Sequence, residues 1–357
     1  MASRATSKFP KDHSKWVKHA ESQLDFHQEG PHFGNQFTED EALQKYLEFF
    51  LKYDTPSVPE PKIEAIITEL KKLGEKSIHY QKISQKGHKV RPVLQKLDPS
   101  GNKLNKVITS DSYQQINRAL VADGIIGDTF QEKHGEGSRL VQLAKLYLLH
   151  SSIGISGCLL SLTDGVASVV KNFLKAHPEH PLRQELSETL DRLTSSDPCK
   201  AWSSGQWMTE KRGGSDITQG SKTLAVQVTE HRYRLYGKKW FASCVDADVT
   251  LVLAKIVDPK TEAVDAKLSA FLVKLRDEEG RMKREVDILG LKEMMGIKQL
   301  PIADVLLKGV EGVLVSKRGE GVKGAGILFT IARLATAMAS VSGARRVVAL
   351  NKDYAYR

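Results

Sequence analysis

Two stretches of the chain combine residue types whose spacing points to ligand chemistry. The first, Trp207-Met208-Thr209-Glu210-Lys211-Arg212-Gly213-Gly214-Ser215-Asp216, runs from apolar residues into a pair of glycines with polar ends. Successive backbone N–H groups at such a turn form a concave cradle for an anion, and the Thr209 and Ser215 hydroxyls add donors. Taken alone, the same string also reads as an ordinary turn. The second, Tyr236-Gly237-Lys238-Lys239-Trp240-Phe241-Ala242-Ser243, places two large aromatics just before a hydroxyl. Rings beside a hydroxyl donor suit a flat heteroaromatic ligand such as a flavin. Core packing of Trp240 and Phe241 is the alternative. The glycine predicts a hairpin turn that presents the rings.

Other chemistries find little support. Gly319-Glu320-Gly321-Val322-Lys323-Gly324 matches GxGxxG, but no second strand and no acid follow about 20 residues on, where Gly343-Ala344-Arg345-Arg346 stands. A flexible glycine lead-in to a helix fits better. There is no HExxH, no GxSxG elbow and no Walker A string among these residues, and the eleven histidines form no tight cluster with acids. Cys158, Cys199 and Cys244 are far apart and odd in number, which excludes a disulfide framework and a CxxC zinc site and favours a reducing compartment. No metal site is expected.

The elements that must position the two stretches fall into three zones. From Thr38 to about Leu193 the apolar spacing is helical. Thr38 with Glu41 reads as a capping box, Glu64 to Leu73 as a helix stopped by Gly74, and Ser112 to Asp123 and Arg139 to His150 as further helices. Pro56 to Pro61 and Lys86 to Leu104 read as loops. Near residue 200 the period shortens. Leu224 to Thr229, Tyr233 to Tyr236, Val249 to Val257 and Leu268 to Leu275 predict antiparallel strands, and Asp304 to Val315 a strand pair. A single helix is predicted over Ile327 to Arg357, with an apolar stripe of Leu328, Ile331, Leu334, Ala335, Met338 and Val341 in need of partners.

A length of 357 residues with 40% apolar and 27% charged residues describes a globular chain of two or three domains. Continuous apolar runs are short, such as Ala270 to Val273, so the reading excludes a membrane span of ~20 residues. The net charge is +10, and residues 311–357 hold eight basic and three acidic residues, half of the excess. A basic terminal helix meets nucleic acid or another anion, or is simply solvated. Met1 to Lys18, with five basic residues and one acid, has a weak transit-peptide composition and equally suits a disordered tail.

Together the two stretches resemble the acyl-CoA dehydrogenase family, the first its (L/M)TE-x-x-GGSD segment and the second its G-x-K-x-W-x-(T/S) segment. In the same order, Met294-Met295-Gly296-Ile297-Lys298 resembles a K-x-G-x-R stretch with its outer Lys and Arg replaced. Pro301-Ile302-Ala303-Asp304-Val305 resembles the strand after it, and Gly319-Glu320-Gly321 the lead-in to the first helix of a bundle. Tyr147-Leu148-Leu149-His150-Ser151-Ser152, Leu162-Thr163-Asp164-Gly165 and Phe37-Thr38-Glu39-Asp40 resemble the AidB-like branch. The likeness runs colinearly over roughly residues 30–357.

The resemblance implies an α+β fold: an extension over 1–37, an N-terminal α-helical domain over 38–199, a middle antiparallel β-barrel domain over 200–315, and the start of a C-terminal helical bundle over 316–357. It implies FAD between barrel and bundle. Met208 and Thr209 would touch the flavin edge, and Gly214 and Ser215 the pyrophosphate. Phe241 stands where the family has a stacking Trp, and Ser243 would lie near flavin N5. An acyl-CoA substrate, a homo-oligomer in the full-length form, electron-transfer flavoprotein as partner, and a mitochondrial or else cytosolic setting are expected. The chain stops at Tyr354-Ala355-Tyr356-Arg357, where the family continues with Phe-Gly, so it reads as truncated. In most members the catalytic carboxylate lies beyond this point. In a minority it precedes an Arg-Leu pair, and here Ala332 precedes Arg333-Leu334. No catalytic residue is assigned, and this chain is expected to be weakly active or inactive. The alternatives are a nucleic-acid-associated flavoprotein, since the branch includes a bacterial member linked to DNA, and a non-catalytic acyl-CoA or lipid binder.

Overall fold

The computed structural model describes residues 13–23, 29–55, 58–214 and 216–356. Much of the N-terminal tail, part of the loop near Pro56, and Ser215 therefore lie outside the described residues. The helical zone comprises α1 (Ser14–Glu21), α2 (Glu41–Phe49), α3 (Glu60–Gly87), α4 (Asp111–Ala122), α5 (Gly127–Phe130), α6 (Ser138–Leu149), α7 (Ser156–Ala176) and α8 (Arg183–Leu193), with the strands β1 (Val93–Leu97) and β2 (Lys103–Ile108) between α3 and α4.

Three local expectations change. Asp40, not Thr38, caps α2: its carboxylate accepts the Leu43 N–H at 2.9 Å, while the Thr38 hydroxyl turns back to the Asn35 carbonyl. Gly74 does not stop α3, which runs on to Gly87. It is needed for a close approach, because a Cβ there would sit 2.3 Å from Asn35 Oδ1 and 2.7 Å from the Phe37 nitrogen. The lysine-rich Lys86 to Leu104 segment is not all loop. It holds β1, which pairs antiparallel with β2, and Leu94 and Val107 pack against the barrel core. Their lysines face solvent, which hid a one-sided strand pattern.

The barrel is built from β3 (Ser204–Trp207), β4 (Leu224–Gln227), β5 (Arg232–Ser243), β6 (Val249–Val257), β7 (Val264–Lys274), β8 (Val286–Leu291) and β9 (Ile302–Leu314), with a short α9 (Ile217–Gly220) after β3. Pairings run β5 to β9, β9 to β7, β7 to β6, β6 to β4 and β4 back to β5, so the sheet closes on itself. Most pairs are antiparallel, but β3 and β4 each run parallel to β6. Asp304 to Val315 is not a strand pair: β9 is one strand of 13 residues, and Gly309, at φ +91°, marks the register shift against β5 that imitated a turn. Nor is Tyr236 to Ser243 a hairpin. It is the second half of β5, bulged where pairing passes from Lys239 opposite Val305 to Ala242 opposite Ala303.

The barrel interior is filled by Trp207, Tyr233, Leu235, Phe271, Ile288, Val305 and their neighbours. A second core joins the zones. Val166, Val170 and Leu174 of α7 and Leu186 of α8 meet Leu251 and Leu253 of β6, Leu272 of β7 and Leu328. Leu328 belongs to α11 (Gly326–Tyr356), which follows the single turn α10 (Gly321–Gly324).

The buried face of α11 is Leu328, Ile331, Ala335, Ser342 and Arg346, so it turns away from the predicted stripe after Ala335. Leu334 and Val341 remain 39% and 51% exposed. The turn has a polar cause: Ser342 meets the Ser151 hydroxyl at 2.8 Å and Arg346 meets the Ser152 hydroxyl at 2.7 Å. By length and composition alone α11 is long and apolar enough to cross a membrane, with a mean hydropathy of 1.5 over its most apolar window. That corrects the exclusion drawn from continuous runs, since threonine, serine and glycine interrupt a run without lowering the average much.

Gly321 lies against β7 so closely that a Cβ would be 2.5 Å from the Ser269 carbonyl carbon. Gly321→Ala must push α10 off the barrel and is expected to cost about 1–3 kcal/mol, read as a lower urea midpoint with an unchanged slope.

Candidate functional site

The bulge in β5 and the end of β3 bring most of the expected site residues together. Met208 is buried, and its sulfur accepts the Gln206 amide at 3.3 Å. Thr209 is half-buried, and its carbonyl accepts the Trp240 N–H at 2.9 Å, which ties the two stretches directly. Phe241 adopts φ +56° and is 38% exposed. Its ring meets Trp240 edge-on at 5.3 Å, and the Lys292 ammonium lies 3.2 Å from the centre of the Trp240 ring. Ser243 is half-buried, opposite Gln206 on β3 and Ile302 on β9, and its carbonyl accepts the Trp207 indole N–H at 3.0 Å. Met208, Thr209, Phe241 and Ser243 thus share one rim of the barrel.

The glycine turn is a less open cradle than its sequence suggests. The Gly213 N–H is spent on the Glu210 carbonyl at 2.9 Å. Gly214, at φ +40°, is exposed with open space where a side chain would stand. Ser215 is outside the described residues. The rim fits a flat ligand: a ring held outward by a left-handed backbone, with hydroxyls of Thr209 and Ser243 that hold no hydrogen bond among the described residues.

The sequence reading missed the pair that clamps this rim. Lys239 is wholly buried, and its ammonium donates to Glu210 Oε1 and to the Leu253 carbonyl, both at 2.8 Å. Glu210 also accepts from the Ser221 hydroxyl at 2.8 Å, the Lys222 N–H at 2.7 Å and the Thr223 hydroxyl at 2.6 Å. Burial alone would raise the Glu210 carboxyl, but the Lys239 charge and these donors outweigh it and bring it down to about 2. Burial pushes Lys239 downward, and Glu210 opposes that. A signal existed. Tyr233, Leu235 and Lys239 share one parity along β5, so a lysine on an inward face demanded an acid.

Two other acids, Asp164 and Asp246, face cavities. Asp164 closes a slot between α7 and α11, but its carboxylate is held by Arg139 at 2.5 Å and Gln142 at 2.9 Å. Asp246 lines a cavity of about 220 Å³ with Tyr113, Asn117, Thr163 and Trp202. Burial pushes its carboxyl up to about 6. Elsewhere Glu69, Asp128 and His134 bring ligand atoms within 4.8 Å of one another. The buried Lys145 ammonium lies 2.5 Å from Glu69 and 2.6 Å from Asp128, in the place a cation would take.

Two predictions follow from these charges. Glu210→Gln strands the Lys239 ammonium and should cost about 3–5 kcal/mol by denaturant unfolding, with Lys239→Met in the same chain recovering part of it. In the unsubstituted chain the Glu210 contribution is complete above about pH 4.5 and is lost as pH falls toward 2. Asp246 has the opposite sign. Its folded value lies above the unfolded 3.8, so its ionised form destabilises at neutral pH and the penalty is relieved as pH falls through 6 toward 4. Asp246→Asn should raise the unfolding midpoint at pH 7.5 and flatten the profile between pH 4 and 6.

The chain is similar to known proteins along most of its length. The family model for the acyl-CoA dehydrogenase middle domain matches residues 205–310. The chain is 35% identical to acyl-CoA dehydrogenase family member 11 of Caenorhabditis elegans over 333 residues, which is 92% of this chain and 52% of that protein. It is 25% identical to the putative acyl-CoA dehydrogenase AidB of Escherichia coli over 65% of this chain and 41% of that one. The crystal structure of Caenorhabditis elegans ACDH-11 in complex with C11-CoA superposes with a TM-score of 0.84 at 34% identity, covering 94% of this chain and 56% of that one. The chain spans about half the length of the curated relatives it matches. With a helical N-terminal zone, a closed middle barrel and the start of the C-terminal helices in the same order, the chain belongs to the acyl-CoA dehydrogenase family.

Proposed function

We propose that this chain supplies the flavin-facing part of an FAD-dependent acyl-CoA dehydrogenase, which oxidises an acyl-CoA to its enoyl-CoA in the full-length form. The observation that carries the reading is the convergence of Met208, Thr209, Phe241 and Ser243 on one rim, fixed by the Thr209–Trp240 backbone bond and the Glu210–Lys239 pair. When bound, FAD accepts the hydride from the substrate β-carbon. The chain's own residues would bind and orient it. The Thr209 and Ser243 hydroxyls would donate to the edge of the ring, Phe241 would cover it and exclude water, and the turn at Gly214 would take the pyrophosphate. The acyl-CoA substrate is supported by the relative solved with C11-CoA. Electron-transfer flavoprotein as electron acceptor and a homo-oligomeric full-length form belong to the same proposal.

Proton removal from the substrate α-carbon is the weak side. Asp164 is engaged by Arg139 and Gln142, and Ala332 stands where some relatives place an acid. Loss of a positioned general base costs about 10²–10⁴-fold. The nucleic-acid reading rests on the exposed Lys317, Lys323, Arg333 and Lys352, while two other basic residues of 311–357 are engaged within the fold. Arg318 pairs with Asp265 at 2.7 and 2.8 Å, and Arg346 is buried.

The purified chain, reconstituted with FAD, should show a flavin absorption spectrum that bleaches slowly or not at all on anaerobic addition of acyl-CoAs. Phe241→Ala and the double change Thr209→Val/Ser243→Ala should each weaken flavin retention about tenfold or more. No flavin uptake, or uptake indifferent to these changes, would sink the proposal.

A further inference from the structure

Arg345 and Arg346 are adjacent guanidinium groups on α11, and neither has a carboxylate within ion-pair distance among the described residues. Arg346 is 8% exposed. It donates to the Ser152 hydroxyl at 2.7 Å and to the Gln81 amide oxygen, lies 4.8 Å over the Phe33 ring, and leaves its Nε without a partner. Arg345 donates to Gln36 Oε1 at 2.9 Å, lies 5.4 Å over the Tyr147 ring, and leaves both Nε and Nη2 buried and unpartnered. Two like charges are thus desolvated side by side on neutral partners and aromatic faces. Burial lowers both, and Arg345 lowers Arg346 further, to about 10. Such an arrangement is costly unless an anion completes it.

The space for an anion is present. Arg345 opens onto a cavity of about 950 Å³ between the N-terminal segment and the end of α11, lined also by the basic Lys45 and Lys352 and by the acids Glu39, Asp40, Glu41 and Asp353. The acids Asp40 and Glu39 favour the Arg345 charge through space but form no ion pair with it among the described residues. Asp40 is spent on the Leu43 N–H and the Tyr147 hydroxyl, each at 2.9 Å, and Glu39 is exposed and outside ion-pair range. Glu41 lies 4.0 Å from Lys45. Free guanidinium donors in a planar fork match the O–X–O edge of a carboxylate or a phosphate.

We propose that this cleft is an anion-binding site, in which Arg345, backed by Arg346, holds the oxyanion group of a small phosphate ester or carboxylate. The site is separate from the barrel rim and does not depend on the flavin reading.

The test titrates the full chain with inorganic phosphate and, separately, with butyrate, at ionic strength held constant with chloride. Calorimetry and the unfolding equilibrium are read together. Saturable binding by at least one anion is expected, with the folded-to-unfolded ratio rising about 100-fold at an anion concentration 100 times its dissociation constant. Saturation by phosphate alone identifies a phosphate ester, and by butyrate alone a carboxylate. Arg345→Gln should weaken binding at least tenfold, and Arg345→Lys, which keeps the charge and loses the fork, should weaken it as well. The proposal is overturned if neither anion saturates, or if binding is unchanged in a folded Arg345→Gln chain. It is overturned too if Glu39→Gln destabilises the chain while neither anion binds, since Glu39 is then the counter-ion.

Discussion

The rim of the barrel depends on one buried ion pair. Glu210 sits at the end of the first stretch and Lys239 near the end of the second, and the carboxylate gathers the ammonium, two hydroxyls and two backbone N–H groups. This satisfaction is what makes the burial tolerable, because a half-satisfied buried charge is worse than none. The pair also fixes register. With Lys239 anchored inside, the bulge that follows must fall at Trp240 and Phe241, and the ring of Phe241 must leave the barrel. Geometry at the outer face of the rim is therefore set from behind, by residues buried beneath it.

The helical zone and the barrel share a core rather than merely abutting. α7 contributes residues to the same cluster as β6, β7 and the first turn of α11. At Gly165 the approach is close enough that a side chain would meet Leu328 at 2.8 Å. The Thr163 hydroxyl accepts the Ser204 N–H at 3.1 Å, joining α7 to the first residue of β3. α7 is thus a wall between the helical zone and the barrel, which explains why most of its residues are buried.

What was legible in the sequence follows from how local the signal is. The two stretches are contiguous strings, so Met208, Thr209, Phe241 and Ser243 could be picked out together, and the periods placed α4, α6, β4, β6 and α11 within two residues of their bounds, whereas α3 and β5 run well past theirs. Signals that depend on distant neighbours misled. Gly74 looked like a helix stop and is a contact with Phe37, 37 residues earlier in the chain. Gly309 looked like a turn and is a bulge inside one strand. The stripe of α11 was drawn through Leu334 and Val341 because hydropathy cannot show that Ser151 and Ser152 would draw Ser342 and Arg346 inward.

Five non-glycine residues among those described have a left-handed backbone, and two of them, Phe241 and Cys244, bracket Ala242 and Ser243. Each such residue holds on the order of 1–3 kcal/mol of strain that the surrounding fold must hold in place. Two strained backbone positions therefore fall within four residues of the rim. Opening of the β5 end would release the strain held at both positions. A ligand seated against Phe241 would act as a splint, ordering the edge that the chain alone holds under tension.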